Sequence, residues 1–113
     1  MDFSKYQKQS GQTRIHKKIP LLHQGNIMFF CFGLFGEVGE VAEKIKKIMR
    51  EKNGILKKED KQEIAKELGD VLWYLTQLGD ELGYSLNEIA EMNLKKIESR
   101  KKRGLIKGNG DNR

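Results

Sequence analysis

Residues 27–48 read IMFFCFGLFGEVGEVAEKIKKI. Within this stretch Ile27, Phe30, Leu34, Val38, Val41, Ile45 and Ile48 recur at steps of three and four, the period of an amphipathic helix. Asn26 is the expected N-cap, and Asn53 with Gly54 is the expected stop. Downstream, Ile64, Leu68, Val71, Leu75, Leu78 and Leu82 form a seven-residue repeat. Asp60 with Glu63 is the expected capping box of that second helix, and Gly83 its end. A third helix opens on Ser85 with Glu88, another capping box, and carries Leu86, Ile89, Ala90, Leu94 and Ile97. The link through Tyr84 is so short that the last two helices are expected to run antiparallel. A short helix is expected near residues 3–10, and Arg14–Gly25, with the sole proline Pro20, reads as a loop. No stretch alternates with period two. The predicted fold is therefore all-α: a bundle of three long helices plus a short N-terminal helix, oligomerising through helix packing.

The chain has 113 residues, room for one domain over 1–113, and no internal repeat or linker divides it. Hydrophobic residues make up 37% and charged residues 34%, so the core is small and association between copies is expected to add burial. No apolar run approaches the roughly 18 residues of a membrane span, and the N-terminus lacks a signal-peptide core. One cysteine, Cys31, excludes an internal disulfide and Cys-based zinc sites, which points to a reduced, cytoplasmic setting.

Two acidic pairs stand out. Glu37 and Glu40 lie at i, i+3 on the first long helix, and Glu67 and Asp70 do the same on the second. Each pair falls roughly 60–100° to one side of its apolar stripe, at the edge of the buried seam. If the two helices pack together, four carboxylates share one cleft and repel. A hard divalent cation relieves that repulsion, and Mg²⁺ keeps waters for a phosphate substrate. The plain alternative is a solvated acidic face, with Lys44 as an i, i+4 partner of Glu40. Gly33, Gly36, Gly39 and Gly69 each weaken a helix by up to about 1 kcal/mol, so another helix or a ligand is expected to come close. Close packing is the simpler reading for Gly33.

The net charge of +6 sits at one end. Residues 95–113 hold eight basic and two acidic side chains, which accounts for all of it. An anionic partner follows, either phosphate or nucleic acid. Asn93, Lys96 and Arg100 share one helical face and would suit a phosphate: an amide, a point charge and a bidentate fork. Arg103, Arg113 and a glycine-bearing tail, 104–113, lie beyond; an ordered anion-binding tail and a disordered one fit the composition equally. Trp73 falls opposite the apolar seam of its helix and is expected to cover either a dimer partner or a base. Cys31 reads as a buried small residue among phenylalanines, and His16 and His23 lie in the loop without metal spacing.

Together these residues resemble a known family. Glu37-x-x-Glu40 followed by Glu67-x-x-Asp70, then Asn93-x-x-Lys96-x-x-x-Arg100, is similar to the signature of the MazG-like all-α nucleotide pyrophosphohydrolases. The resemblance covers roughly residues 27–103, and the ending at 103–113 is similar to that of single-domain members. It implies hydrolysis of a nucleoside triphosphate to the monophosphate and pyrophosphate, assisted by Mg²⁺ or by Mn²⁺ as a substitute. Glu37, Glu40, Glu67 and Asp70 would then hold the metal, and one of them would activate the water that attacks the α-phosphorus. Lys96 and Arg100 would hold the phosphates, with Asn93 orienting them; Lys44, Trp73, Arg103 and Arg113 are further candidates. The resemblance also implies a homodimer or a dimer of dimers. A phosphoribosyl-ATP or dCTP/dUTP-specific relative is the nearest alternative. Outside the family, a small basic nucleic-acid-binding module and a ligand-free structural dimer remain, and pyrophosphate release discriminates among them.

Overall fold

The computed structural model describes residues 1–15 and 25–113. These form four helices, α1 (Phe3–Gly11), α2 (Gly25–Glu51), α3 (Lys58–Glu81) and α4 (Leu86–Lys102), and no strand is found among the described residues. The all-α expectation is met. His16, Pro20 and His23 lie outside the described residues.

Most helix ends follow local chemistry. Asp2 caps α1, its Oδ1 accepting the Lys5 N–H at 2.8 Å. α2 stops where Asn53 (φ 52°) and Gly54 (φ 75°) turn left-handed. At the end of α3 Gly83 takes φ 80°, and the Tyr84 N–H returns to the Gly79 carbonyl at 2.9 Å. The Ser85–Glu88 box is formed in both directions, at 3.1 Å and 2.7 Å. Two expected starts are displaced. α2 begins at Gly25, so Asn26 lies inside the helix rather than capping it. α3 begins two residues before Asp60, the expected cap; Asp60 sits at its third position and accepts the Lys57 N–H at 3.0 Å.

α2 and α3 make the main packing of the chain. Phe30, Gly33, Leu34, Glu37, Val41, Lys44 and Ile48 of α2 are buried or half-buried, one face at steps of three and four. The line that α3 offers in return only partly overlaps its leucine seam, of which Ile64, Val71, Leu75 and Leu78 are half-buried. Leu68 and Leu82 on that seam are more than half exposed. Asp60, Glu67, Tyr74, Gln77 and Glu81, about a quarter turn away, are better covered. Gly33 exists for this contact: a Cβ there would stand 2.0 Å from the Tyr74 ring. Gly36, Gly39 and Gly69 have open space around them, so the expected close approach is not made there among the described residues.

α4 does not run back along α3 as expected. The two touch near their junction, where Gly79 leaves room for Ile89, while Met92, Leu94 and Ile97 beyond are exposed. The reason is α1, which occupies the corner. Gln7 bonds to Asp80 on α3 and, through Oε1, accepts the Leu86 N–H of α4 at 2.9 Å; Asn87 donates to Ser4 at 2.8 Å. The result is an open molecule. Its radius of gyration is 17.2 Å, against roughly 13 Å for a compact domain of about 100 residues. Among the described residues, Phe30, Ile48 and Leu86 are the buried hydrophobic side chains, while Phe32 and Phe35 are about two-thirds exposed. No helix among them is long and apolar enough to cross a membrane.

Candidate metal centre

The packing of α2 on α3 brings acids together because Glu37 and Glu67 lie on the facing lines, with Asp70 at their exposed edge. Glu37, Glu67 and Asp70 each place a carboxylate oxygen within 4.8 Å of the others. Glu37 and Glu67 are half-buried and Asp70 is exposed. Glu40 is exposed and outside this trio, though its charge is felt at Glu37. Burial pushes the Glu37 carboxyl above its ordinary range, and the charges of Glu40, Asp70 and Glu67 push it further. Like charges at this spacing disfavour the metal-free state. The donors are all carboxylate oxygens, with no thiol or imidazole among them, which suits a hard divalent cation.

Lys44 faces this cluster from α2. It pairs across the helices with Glu67 (2.9 Å) and Glu63 (3.6 Å), not along its own helix with Glu40. Its ammonium is held above the usual lysine range, chiefly by the bond to Glu67. Tyr6 of α1 approaches from another side. Its hydroxyl is pushed up first by burial and then by the charge of Asp70. Nothing in the sequence links Tyr6 to an acid more than sixty residues away; only the docking of α1 does.

Trp73 covers residues of its own chain. Its ring meets Phe30 (centroids 6.0 Å apart) and Tyr74 (5.0 Å), and its indole N–H donates to Thr13 at 2.8 Å. Arg14, which reads as the start of a loop, binds α3 through the Gln77 side chain (2.6 Å), Glu81 (2.8 Å) and Asp80 (3.4 Å), and its guanidinium lies 4.9 Å from the Phe30 ring centre.

The basic face of α4 is placed apart from the acids. Helix α4 makes no packing contact with α2 among the described residues. Asn93 and Lys96 line a cavity of about 330 Å³ with Gly79, Leu82 and Ile89. Gly79 is nine residues past Asp70, roughly 13 Å further along α3. Arg100 is 8% exposed, and its Nη2 donates to the carbonyls of Asp111 (2.8 Å) and Gly110 (3.2 Å). Arg103 donates to Ser99 and to the Arg113 carbonyl. The Arg113 guanidinium in turn holds the carbonyls of Gly110 (2.6 Å), Leu105 (3.0 Å) and Ile106 (3.1 Å). Three arginines that composition offers to an anion are thus spent on folding segment 104–113.

An all-α protein with carboxylates from two packed helices, arranged to hold a divalent cation, is the class that fold and site define. Comparison with known families makes it specific. The model of the MazG nucleotide pyrophosphohydrolase domain matches residues 31–105, and the chain belongs to that family. Among curated proteins it is similar to the Gene 37 protein of Mycobacterium phage L5, 46% identical over 67 residues. That match spans 59% of this chain and 59% of the phage protein. No solved structure gives a significant match.

Proposed function

We propose that this protein hydrolyses a nucleoside or deoxynucleoside triphosphate to the monophosphate and pyrophosphate in a Mg²⁺-dependent reaction that clears unwanted nucleotides. The observation that carries the reading is the convergence of Glu37, Glu67 and Asp70 within 4.8 Å, inside the segment that the family model matches. Glu40 completes the acidic set from the exposed turn of α2. Mg²⁺ held there would neutralise phosphate charge and favour ionisation of the attacking water. The carboxylates hold the cation and one of them takes the proton of that water. Lys96 holds the phosphates and Asn93 orients them, with Lys44 and Trp73 in supporting positions, while Arg100, Arg103 and Arg113 hold segment 104–113 beside that face.

Self-association belongs to the same reading. Among the described residues α4 does not pack on α2, which carries Glu37 and Glu40, and Phe32, Phe35, Leu68, Met92 and Leu94 are left exposed. A second copy supplies both the missing cover and the missing half of the site. A cytoplasmic setting accords with Cys31 as a free thiol.

The experiment is pyrophosphate release from a panel of ribo- and deoxyribonucleotides, with Mg²⁺ and with a chelator. Mg²⁺-dependent release that is lost in Asp70→Ala supports the reading. Full activity in Asp70→Ala, or no release from any nucleotide, refutes it.

A further inference from the structure

Segment 104–113 is folded and it ends on the basic face of α4. Its backbone turns at Gly104 (φ 69°), Gly108 (φ 152°) and Gly110 (φ 84°), and Arg113 ties the turn together through three carbonyls. Folding in this way delivers one side chain to α4. The Asp111 carboxylate lies 3.2 Å from Lys96 Nζ and 3.4 Å from Arg100 Nη2 through the same oxygen, Oδ1.

This is the geometry of a phosphate oxygen bound by two cations, with a carboxylate in its place. The rest of the contact shows which part is fixed. Arg100 is buried and held by two backbone carbonyls of the segment, so it anchors the strap. Lys96 is only half-buried, and Asp111 is the one acidic partner it has among the described residues. The Asp111 side chain is 83% exposed, so it can swing into solvent at little loss.

We propose that Asp111 is a tethered anion that occupies the Lys96 phosphate position and that a bound phosphate must displace. The strap makes the basic face self-screening: weakly anionic solutes do not outcompete a carboxylate already attached, while the concentrated charge of a polyphosphate does. The inference deepens the nucleotide reading and rests on it for the role of Lys96. Its chemistry concerns phosphate binding alone.

The test is binding of inorganic pyrophosphate, by calorimetry, with a chelator present so that no divalent cation contributes. Asp111→Asn removes the competing charge and keeps the size. It should bind pyrophosphate about two- to fivefold more tightly than the unaltered chain, the range that an exposed ion pair can oppose. Asp111→Glu keeps the charge and should bind as the unaltered chain does. Glu98→Gln makes the same charge change on the exposed surface of α4 and should also leave binding unaltered. Equal or weaker binding by Asp111→Asn overturns the proposal, because Asp111 would then be idle or would be positioning Lys96. Matching gains in Glu98→Gln overturn it too, since net charge alone would explain them. Absence of binding in every variant removes the anion site altogether. If Asp111→Asn gains as expected and no nucleotide is hydrolysed, the strap stands and the hydrolase reading alone fails.

Discussion

Lys44 of α2 reaches across to Glu67 of α3, Nζ to Oε1 at 2.9 Å, and so places a cation beside the carboxylates that converge with Glu37 and Asp70. In the metal-free protein this ammonium offsets part of the repulsion among the acids. With a divalent cation bound, the same ammonium competes with it for Glu67. Lys44→Met should therefore lower the thermal midpoint of the metal-free chain and tighten Mg²⁺ binding. Melting curves with and without Mg²⁺ check both. A variant that melts lower with saturating Mg²⁺ by as much as without it would show that Lys44 acts on packing only.

Glu37→Gln tests the repulsion directly. Burial and three neighbouring carboxylates raise the Glu37 carboxyl above its ordinary value of 4.5. An amide of the same shape removes one charge from the cluster. The metal-free variant should be more stable than the unaltered chain at neutral pH, and Mg²⁺ should stabilise it less. Urea midpoints at two Mg²⁺ concentrations measure the pair of effects. Loss of stability in the metal-free state would mean that Glu37 makes a contact worth more than its charge costs.

The glycines of α2 divide into two kinds. Gly33→Ala drives a methyl into the Tyr74 ring at 2.0 Å, so α2 and α3 must separate. Overpacking of this kind costs about 1–3 kcal/mol. Gly36→Ala meets nothing within 4 Å among the described residues. By helix propensity alone it should stabilise by up to about 1 kcal/mol. If Gly36→Ala instead weakens self-association or nucleotide turnover while the monomer stays folded, the open space at Gly36 is filled by a partner or a ligand. Chemical denaturation with light scattering separates these cases.

How much of this was readable in the sequence depends on the range of the interaction. Helix ends set by neighbours in the chain, such as Ser85 with Glu88 or Gly83, are local and were legible. The acids were legible as pairs because i, i+3 spacing fixes a shared face. Which face of α3 meets α2 was not. The leucine line through Leu68 and Leu82 carries the stronger hydrophobic signal, yet Tyr74 and Glu67 meet α2 at Gly33 and Lys44, while Gln77 holds Arg14. That pairing rests on shape and on contacts some 23 to 63 residues apart. The same holds for α1, whose Gln7 and Ser4 turn α4 away from α3, and for Arg100, whose partners lie in a segment that composition left open.

The α4 cap carries a pH dependence. Glu88 accepts the Ser85 backbone N–H at 2.7 Å, and this bond holds its carboxyl below the ordinary 4.5. A group whose folded pKa is depressed stabilises the fold above the unfolded value, and that support is lost as pH falls through the folded one. Helicity of α4 should thus hold at neutral pH and weaken below about pH 4.5, and Glu88→Gln should flatten that acid limb. Ser85→Ala, which removes the other half of the box, should cost about 1 kcal/mol at neutral pH. Circular dichroism as a function of pH, with an α4 amide probe, follows both.

The basic end separates hydrolysis from nucleic-acid binding. Lys96 lines a cavity with Asn93 and is half-buried, whereas Lys101 and Lys102 are exposed at the end of α4. If nucleotide phosphates bind on the Lys96 face, Lys96→Ala removes a charge-assisted contact of about 1.5–3 kcal/mol, at least tenfold in kcat/KM. Neutralising Lys101 and Lys102 together should change little, because exposed charges are screened at physiological salt. A nucleic-acid module behaves otherwise: each lysine contributes alike, and each one lost lowers the salt slope by about one. Because α4 does not pack on α2 among the described residues, a mixing experiment adds a second reading. Asp70→Ala, inactive alone, and Lys96→Ala, weakened alone, should together regain part of the activity when their protomers are exchanged into mixed oligomers. Comparable losses from Lys96→Ala and the Lys101/Lys102 double change, with DNA binding that falls steeply with salt, would favour the nucleic-acid reading.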